Sequence, residues 1–187
     1  MFWICACIVG DKSEGVVDTA SMEDAILDSG AVSSIDAQQL PAAENPCRAP
    51  QLASVNYVVD GDTFYAQIGA YEEKIRMIGI DTPEMGYEGS SDDCYAQDSA
   101  DFLRERIATD QVWLTFDQLC SDTYGRTLAY VHTGLGERGF VQRQMLQRGF
   151  AQTFPFDDTP AFHSIFAEDE KQASDGGLGG WEACGWE

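Results

Sequence analysis

The chain is short of bases. Against 32 aspartates and glutamates it carries 11 lysines and arginines, for a net charge of −21. So acidic a chain repels polyanions at long range, and any binding of nucleic acid needs a local site that overcomes the field. Histidine is scarcer still, with only His132 and His163, well apart. No CxxC pair occurs among Cys47, Cys94, Cys120 and Cys184. Both absences argue against a metal site built on thiolates or clustered histidines. No apolar run is long enough to span a membrane, and no internal repeat is visible.

What is present divides the chain in three. Residues 1–10 hold an apolar stretch from Phe2 to Gly10 without a basic lead-in, short for a signal core. Ile4-Cys5-Ala6-Cys7 fits the pattern of a lipoprotein leader, so two expectations stand: the tail of an export signal, or a lipid anchor at Cys7. An unstructured end is the alternative. Residues 11–46 are rich in Ser, Ala and acids and poor in aromatics, the composition of a solvated, disordered linker. Residues 1–46 hold 8 acids and one base, and residues 47–187 hold 24 acids and 10 bases, so the folded part is itself acidic. Four cysteines within 47–187 suit two disulfides in an exported domain; a secreted or envelope protein, acting as a monomer, is expected.

Periodicity shapes the domain over 47–187. "ASVNYVVDGDTFYAQIG" is two alternating runs around Asp60-Gly61, a hairpin signal. "EEKIRMIGI", "QVWLTFD" and "RTLAYVHT" add three strands. Ala96, Ala100, Leu103 and Ile107 lie at helical spacing within 96–108. "FVQRQMLQRG" predicts a second helix stopped by Gly149. A third opens at Thr159-Pro160, with Phe162, Phe166 and Ala173 as its buried stripe. Clustered strands with interposed helices predict an α+β fold, a five-stranded OB-type β-barrel with three α-helices.

Four sites could carry chemistry. Arg76 sits among Ile75, Met77, Ile78 and Ile80, and a buried arginine needs a carboxylate or a phosphate. Asp81-Thr82-Pro83-Glu84 resembles a helix start, but two glycines and no apolar period follow it. Its carboxylates are therefore open to bind a hard cation or to act as a base. In Asp60-Gly61-Asp62-Thr63 the first two residues suit a plain turn, and Asp62 is placed to face a site. In "SDTYGRTL" Gly125 turns the chain and Arg126 leads the next strand. Arginines stabilise charge on a phosphoryl group, and carboxylates bind metal or activate water.

These motifs, "VVDGDTF", "IRMIGIDTPE", "DTYGRTLAYV" and "MLQRGFA" through "AEDEKQASDGGLGGW", together resemble the staphylococcal nuclease (thermonuclease) family over 53–181. The resemblance implies an OB barrel and a Ca²⁺-dependent endonuclease or exonuclease that cleaves DNA and RNA to 3′-phosphates with little sequence preference. It implies Asp62, Asp81 and the Thr82 carbonyl as Ca²⁺ ligands, and Glu84 as general base. Arg76 and Arg126 would hold the phosphate, which would then be Arg76's partner. Tyr124, Phe154 and Phe156 are expected along the substrate groove, with Phe154 or Phe156 stacking on a base. Departures are Thr123 where the family has lysine, "TFPFDD" where it has a tyrosine pair, and the acidity of the domain. The family comparison pairs Cys94 with Cys120 and Cys47 with Cys184. A non-catalytic OB module that binds nucleic acid or protein is the alternative function. Arg76 and Asp81 are five apart, so their convergence requires a break in the strand, expected at Gly79.

Overall fold

Alternation and turn chemistry dictate a barrel. The computed structural model describes residues 29–108, 110–154 and 160–186. β1 (Gln51–Val58) and β2 (Thr63–Ile68) form the hairpin expected around Asp60-Gly61. β3 (Tyr71–Met77) pairs antiparallel with β2, setting Thr63 opposite Arg76 and Tyr65 opposite Lys74. β5 (Gln111–Thr115) and β6 (Thr127–His132) form an antiparallel pair. β6 then lies parallel to β3, and β5 closes on β1, so the order β1-β2-β3-β6-β5 is a closed barrel. Closure leaves no sheet edge unpaired. The α+β, five-stranded OB architecture is as the sequence predicts.

The barrel interior is apolar because every second residue of β2 and β3 faces it: Phe64, Ala66 and Ile75 are buried. β6 is buried along its whole length. The Gln142 side chain accepts from Val131 N at 3.1 Å and donates to Ala129 O at 3.1 Å, both on β6. This fully buried amide satisfies backbone groups that would otherwise be orphaned. The three expected helices are present as α2 (Ala96–Arg106), α3 (Val141–Gln147) and α4 (His163–Asp175). Ala96, Ala100, Leu103 and Ile107 are buried as their spacing predicts, and so are Phe166 and Ala173 of α4. Thr159, expected to open the last helix, lies outside the described residues.

Three elements were not expected. Two-residue strands β4 (Ile80–Asp81) and β7 (Gln152–Thr153) pair antiparallel beside the barrel. A short helix α5 (Gly180–Ala183) follows α4. The linker expectation for 11–46 fails over its second half. There α1 (Ser29–Ser33) carries Val32 into full burial, and Leu40 and Ala43 are buried after it. Trp113 of β5 donates its indole N–H to Val32 O at 3.0 Å. The physical reason is that a few apolar residues in a polar stretch suffice to dock once a partner surface exists. Residues 1–28, including the Cys7 reading, lie outside the described residues.

The disulfides also correct the sequence reading. Cys47 joins Cys120 and Cys94 joins Cys184, with Cα–Cα distances of 5.6 and 5.9 Å. Cys94–Cys120 and Cys47–Cys184 do not form. The segment before β1 runs along the β5–β6 connection, where Cys47 N donates to Asp117 O at 2.8 Å. That brings Cys47 to Cys120. The chain end packs on the start of α2, where Trp186 meets Tyr95 edge-on, and this brings Cys184 to Cys94. Among the described residues no helix is long and apolar enough to cross a membrane.

Candidate active site

The site begins at the break in the third strand. β3 ends at Met77 and β4 starts at Ile80, with Gly79 between them at φ +81°. A left-handed φ favours glycine, and a Cβ at this position would lie 2.8 Å from the Phe166 ring. The break turns Asp81 back toward Arg76, and Arg76 Nη2 meets Asp81 Oδ1 at 2.7 Å. A straight strand would have pointed the two to opposite faces.

Arg76 is 6% exposed and held at both terminal nitrogens. Its Nη1 donates to Met77 O at 3.0 Å and Ile80 O at 2.8 Å, and lies 2.8 Å from Asp62 Oδ2. Structural carboxylates are thus the first partners of this arginine. Two carboxylates and two carbonyls account for its burial, because a guanidinium is a fork of donors and these acceptors meet Nη1 and Nη2 from both sides.

Asp62 is held from three directions. Thr63 Oγ1 donates to its Oδ1 at 2.9 Å, and Thr82 donates to Oδ2 through N at 3.0 Å and Oγ1 at 3.2 Å. Its own carbonyl accepts from Met77 N at 2.9 Å, tying the hairpin turn to the end of β3. Gly61 allows this closeness, since a Cβ there would sit 2.8 Å from Thr82 and Ser99. Burial pushes the Asp62 carboxyl up to about 7, opposed by Arg76 and raised further by the charges of Asp60 and Asp81. Burial also raises Glu84, with Asp60 and Asp81 adding to it while Arg76 and Arg126 oppose. Glu84 therefore feels both arginines and both neighbouring aspartates. Its loop has no helix; Asp93 N donates to Glu84 O at 3.0 Å and Asp92 Oδ1 accepts from Gly86 N at 2.8 Å.

Arg126 arrives from the other side. The parallel register sets Ile75 opposite Thr127 and Arg76 opposite Leu128. Asp122 builds the turn before it, accepting from Tyr124 N and Arg126 N at 2.9 Å each. Asp122 Oδ2 also takes Arg126 Nε at 2.6 Å. Burial works to raise Asp122, and the bonds from Arg126 overcome it and hold its carboxyl low. The Arg126 guanidinium lies over the Tyr124 ring, 5.5 Å from its centroid. Phe154 reaches the site's edge, its N–H donating to Gly79 O at 3.0 Å. Phe156 lies outside the described residues.

The sequence reading missed Asp122 as the holder of Arg126 and Asp60 as part of the carboxylate group. Asp60 is buried, with Oδ1 accepting from Asp62 N at 3.1 Å. The signal for Asp122 was legible in principle, as an aspartate four before an arginine across a glycine turn is an Asx-turn pattern.

Whether these residues suit Ca²⁺ turns on donor chemistry. Among the described residues no three His, Cys, Asp or Glu side chains group closely enough to hold a metal. The set implied for Ca²⁺ is smaller in side chains, Asp62 and Asp81 with the Thr82 carbonyl. All are hard oxygens. The neighbouring charges of Asp60 and Asp81 that help raise Asp62 are what a hard cation would relieve, and Asp81's side chain is 49% exposed on the solvent side. In donor type the residues fit the ion.

The "Staphylococcal nuclease homologue" family profile matches residues 74–183. The thermonuclease of Staphylococcus intermedius is 30% identical over 128 residues, covering 68% of this chain and 74% of the relative. The thermonuclease of Staphylococcus hyicus is 29% identical over 123 residues, covering 66% and 71%. The SPbeta prophage-derived endonuclease YokF of Bacillus subtilis is 28% identical over 135 residues, covering 71% of this chain and 45% of its own length.

Proposed function

The chain belongs to the staphylococcal nuclease family, and on that premise we propose that it is an exported, Ca²⁺-dependent nuclease. It hydrolyses phosphodiester bonds of DNA and RNA to 3′-phosphates with little sequence preference. One observation carries the reading: Arg76 bridges Asp62 and Asp81 at 2.8 and 2.7 Å, and the parallel β3–β6 register brings the strand led by Arg126 alongside it. Carboxylates and a charge clamp are thus drawn from adjoining strand ends, as phosphoryl hydrolysis requires.

Asp62, Asp81 and the Thr82 carbonyl would hold Ca²⁺, which when bound supplies positive charge to the phosphate oxygens. Glu84 takes a proton from the attacking water as its oxygen bonds to phosphorus. The bond to the 5′ oxygen breaks, that oxygen is protonated from the medium, and one water is consumed. Arg126, held at Nε by Asp122, directs its remaining donors at the phosphoryl oxygens. Arg76 bridges Asp62 and Asp81, and presents the rest of its fork to the phosphate. The paired cysteines support an oxidising compartment.

The test is cleavage of plasmid and of single-stranded RNA with Ca²⁺, with and without EGTA. Activity that vanishes in EGTA, and falls by several orders of magnitude in Arg126→Ala, is expected. Full activity in Arg126→Ala, or none in the parent, overturns the reading and leaves the non-catalytic OB module.

A further inference from the structure

One row of side chains beside the site has no part in this mechanism. Tyr57 lies opposite Tyr65 and Tyr65 opposite Lys74, a continuous line across β1, β2 and β3. The two tyrosine rings stack, with centroids 4.7 Å apart and planes 18° from parallel. Lys74 Nζ lies 5.7 Å from the Tyr65 centroid. Tyr65 thus has Tyr57 and Lys74 as its neighbours along the row. Tyr57, at 53% exposure, ends the stack toward solvent. An exposed aromatic held by stacking on a second ring is pre-organised for a third.

The position of this row matters more than its existence. Side chains alternate along a strand, so Tyr65 and Thr63 share the outer face of β2, and Lys74 and Arg76 share that of β3. Phe64 and Ile75 take the inner face and are fully buried. The next row is therefore Thr63 opposite Arg76, about 6.7 Å along the strand. The parallel register adds Arg126. It precedes Thr127, which pairs with Ile75, so alternation sets it on the Arg76 side, alongside Lys74. Three of the ten bases of residues 47–187 thus collect on one face of a chain at −21. In the opposite direction the strip ends at Glu72, which pairs with Gln67 and takes a hydrogen bond from Asn56. Along the outer face a polyanion finds the Lys74 ammonium beside the site, aromatic surface at Tyr57, and an acid beyond.

We propose that Tyr57, Tyr65 and Lys74 form a subsite for a single-stranded polynucleotide on the outer face of β1–β3, leading into the Arg76–Arg126 site. An unpaired base stacks on Tyr57, and Lys74 takes a phosphate between that base and Arg76. Stacking suits any base and gives no sequence preference. A duplex keeps its bases paired and cannot use the stack. The inference rests on the nuclease reading for its direction, since the strip is argued to feed the phosphate site.

The test reads binding apart from cleavage. Anisotropy of a fluorescein-labelled oligothymidylate, twelve nucleotides long, is followed with the full chain in Glu84→Gln background, Ca²⁺ present, across salt concentrations. Tyr57→Ala should weaken binding about tenfold, and Tyr57→Trp should restore it. Lys74→Gln should weaken it less and lower the salt slope by about one. A duplex probe should bind Tyr57→Ala and its parent alike. Equal oligothymidylate affinity for Tyr57→Ala and parent, equal losses on duplex and single strand, or no binding by the parent, each overturns the subsite. Absence of cleavage by the wild-type chain alongside Tyr57-dependent binding would overturn the nuclease reading and leave the subsite standing.

Discussion

The end of β3 and the turn before β6 each hold one arginine, and they hold it differently. Arg76 is buried between Asp62 and Asp81 and donates to two carbonyls as well. Arg126 is part-exposed and has Asp122 at its Nε and Tyr124 under its plane. In the first region the charge cannot leave water without partners, so the fold is committed to it. In the second, water still screens the pair, and the ion pair positions the side chain more than it stabilises the fold. The same residue type is therefore part of the architecture at one edge of the site and a mounted tool at the other.

Breaking the buried half should have the largest effect on folding. Arg76→Ala leaves Asp62 buried beside Asp60 and Asp81 without its cation, and should cost about 3–5 kcal/mol, read by urea denaturation. A loss under 1 kcal/mol would put Arg76 in the same class as Arg126 and erase the contrast.

A buried group with no counter-charge sharpens it next. His132 sits in the barrel wall with Nε2 2.9 Å from Thr115 Oγ1 and Nδ1 without a hydrogen-bond partner among the described residues. Burial lowers it to about 3. The unfolded chain, titrating near 6.5, binds this proton first. Stability from this group is thus complete above pH 6.5 and is lost as pH falls from 6.5 toward 3. The loss should run at about 1.4 kcal/mol per pH unit. The stability difference between wild type and His132→Gln should narrow at that slope over this window; a difference independent of pH would contradict it.

The smallest effect on folding belongs to the exposed half. Asp122→Asn should cost about 1 kcal/mol or less, yet lower nuclease activity about tenfold or more, because Arg126 loses the acceptor that aims it. Equal stability with full activity would show that the turn alone places Arg126.

Much of this contrast was legible along the chain. The DG turn and the alternation of β2 and β3 are local events read from their own neighbours, and the break at Gly79 followed from the convergence of Arg76 and Asp81 that the family resemblance implies. Arg76 was read as buried for the same reason, but its partners were not. Asp62 comes fourteen residues earlier and meets it only because β2 and β3 pair. Asp122 was legible as the start of an Asx turn, but its grip on the Arg126 side chain shows only once the arginine folds back on it.

By itself the sequence determined the class of elements, their order, the chemistry available at strand ends and the family. These follow from period, turn residues and residue type, all short-range properties. Only the tertiary structure decided which cysteines join, that residues after Ser29 dock on the barrel, and that Lys74, Arg76 and Arg126 share one face. The shared face depends on the parallel β3–β6 pairing, the docking on the Trp113–Val32 contact and the disulfides on packing at Asp117 and Tyr95, contacts between residues far apart in the chain that no local pattern encodes.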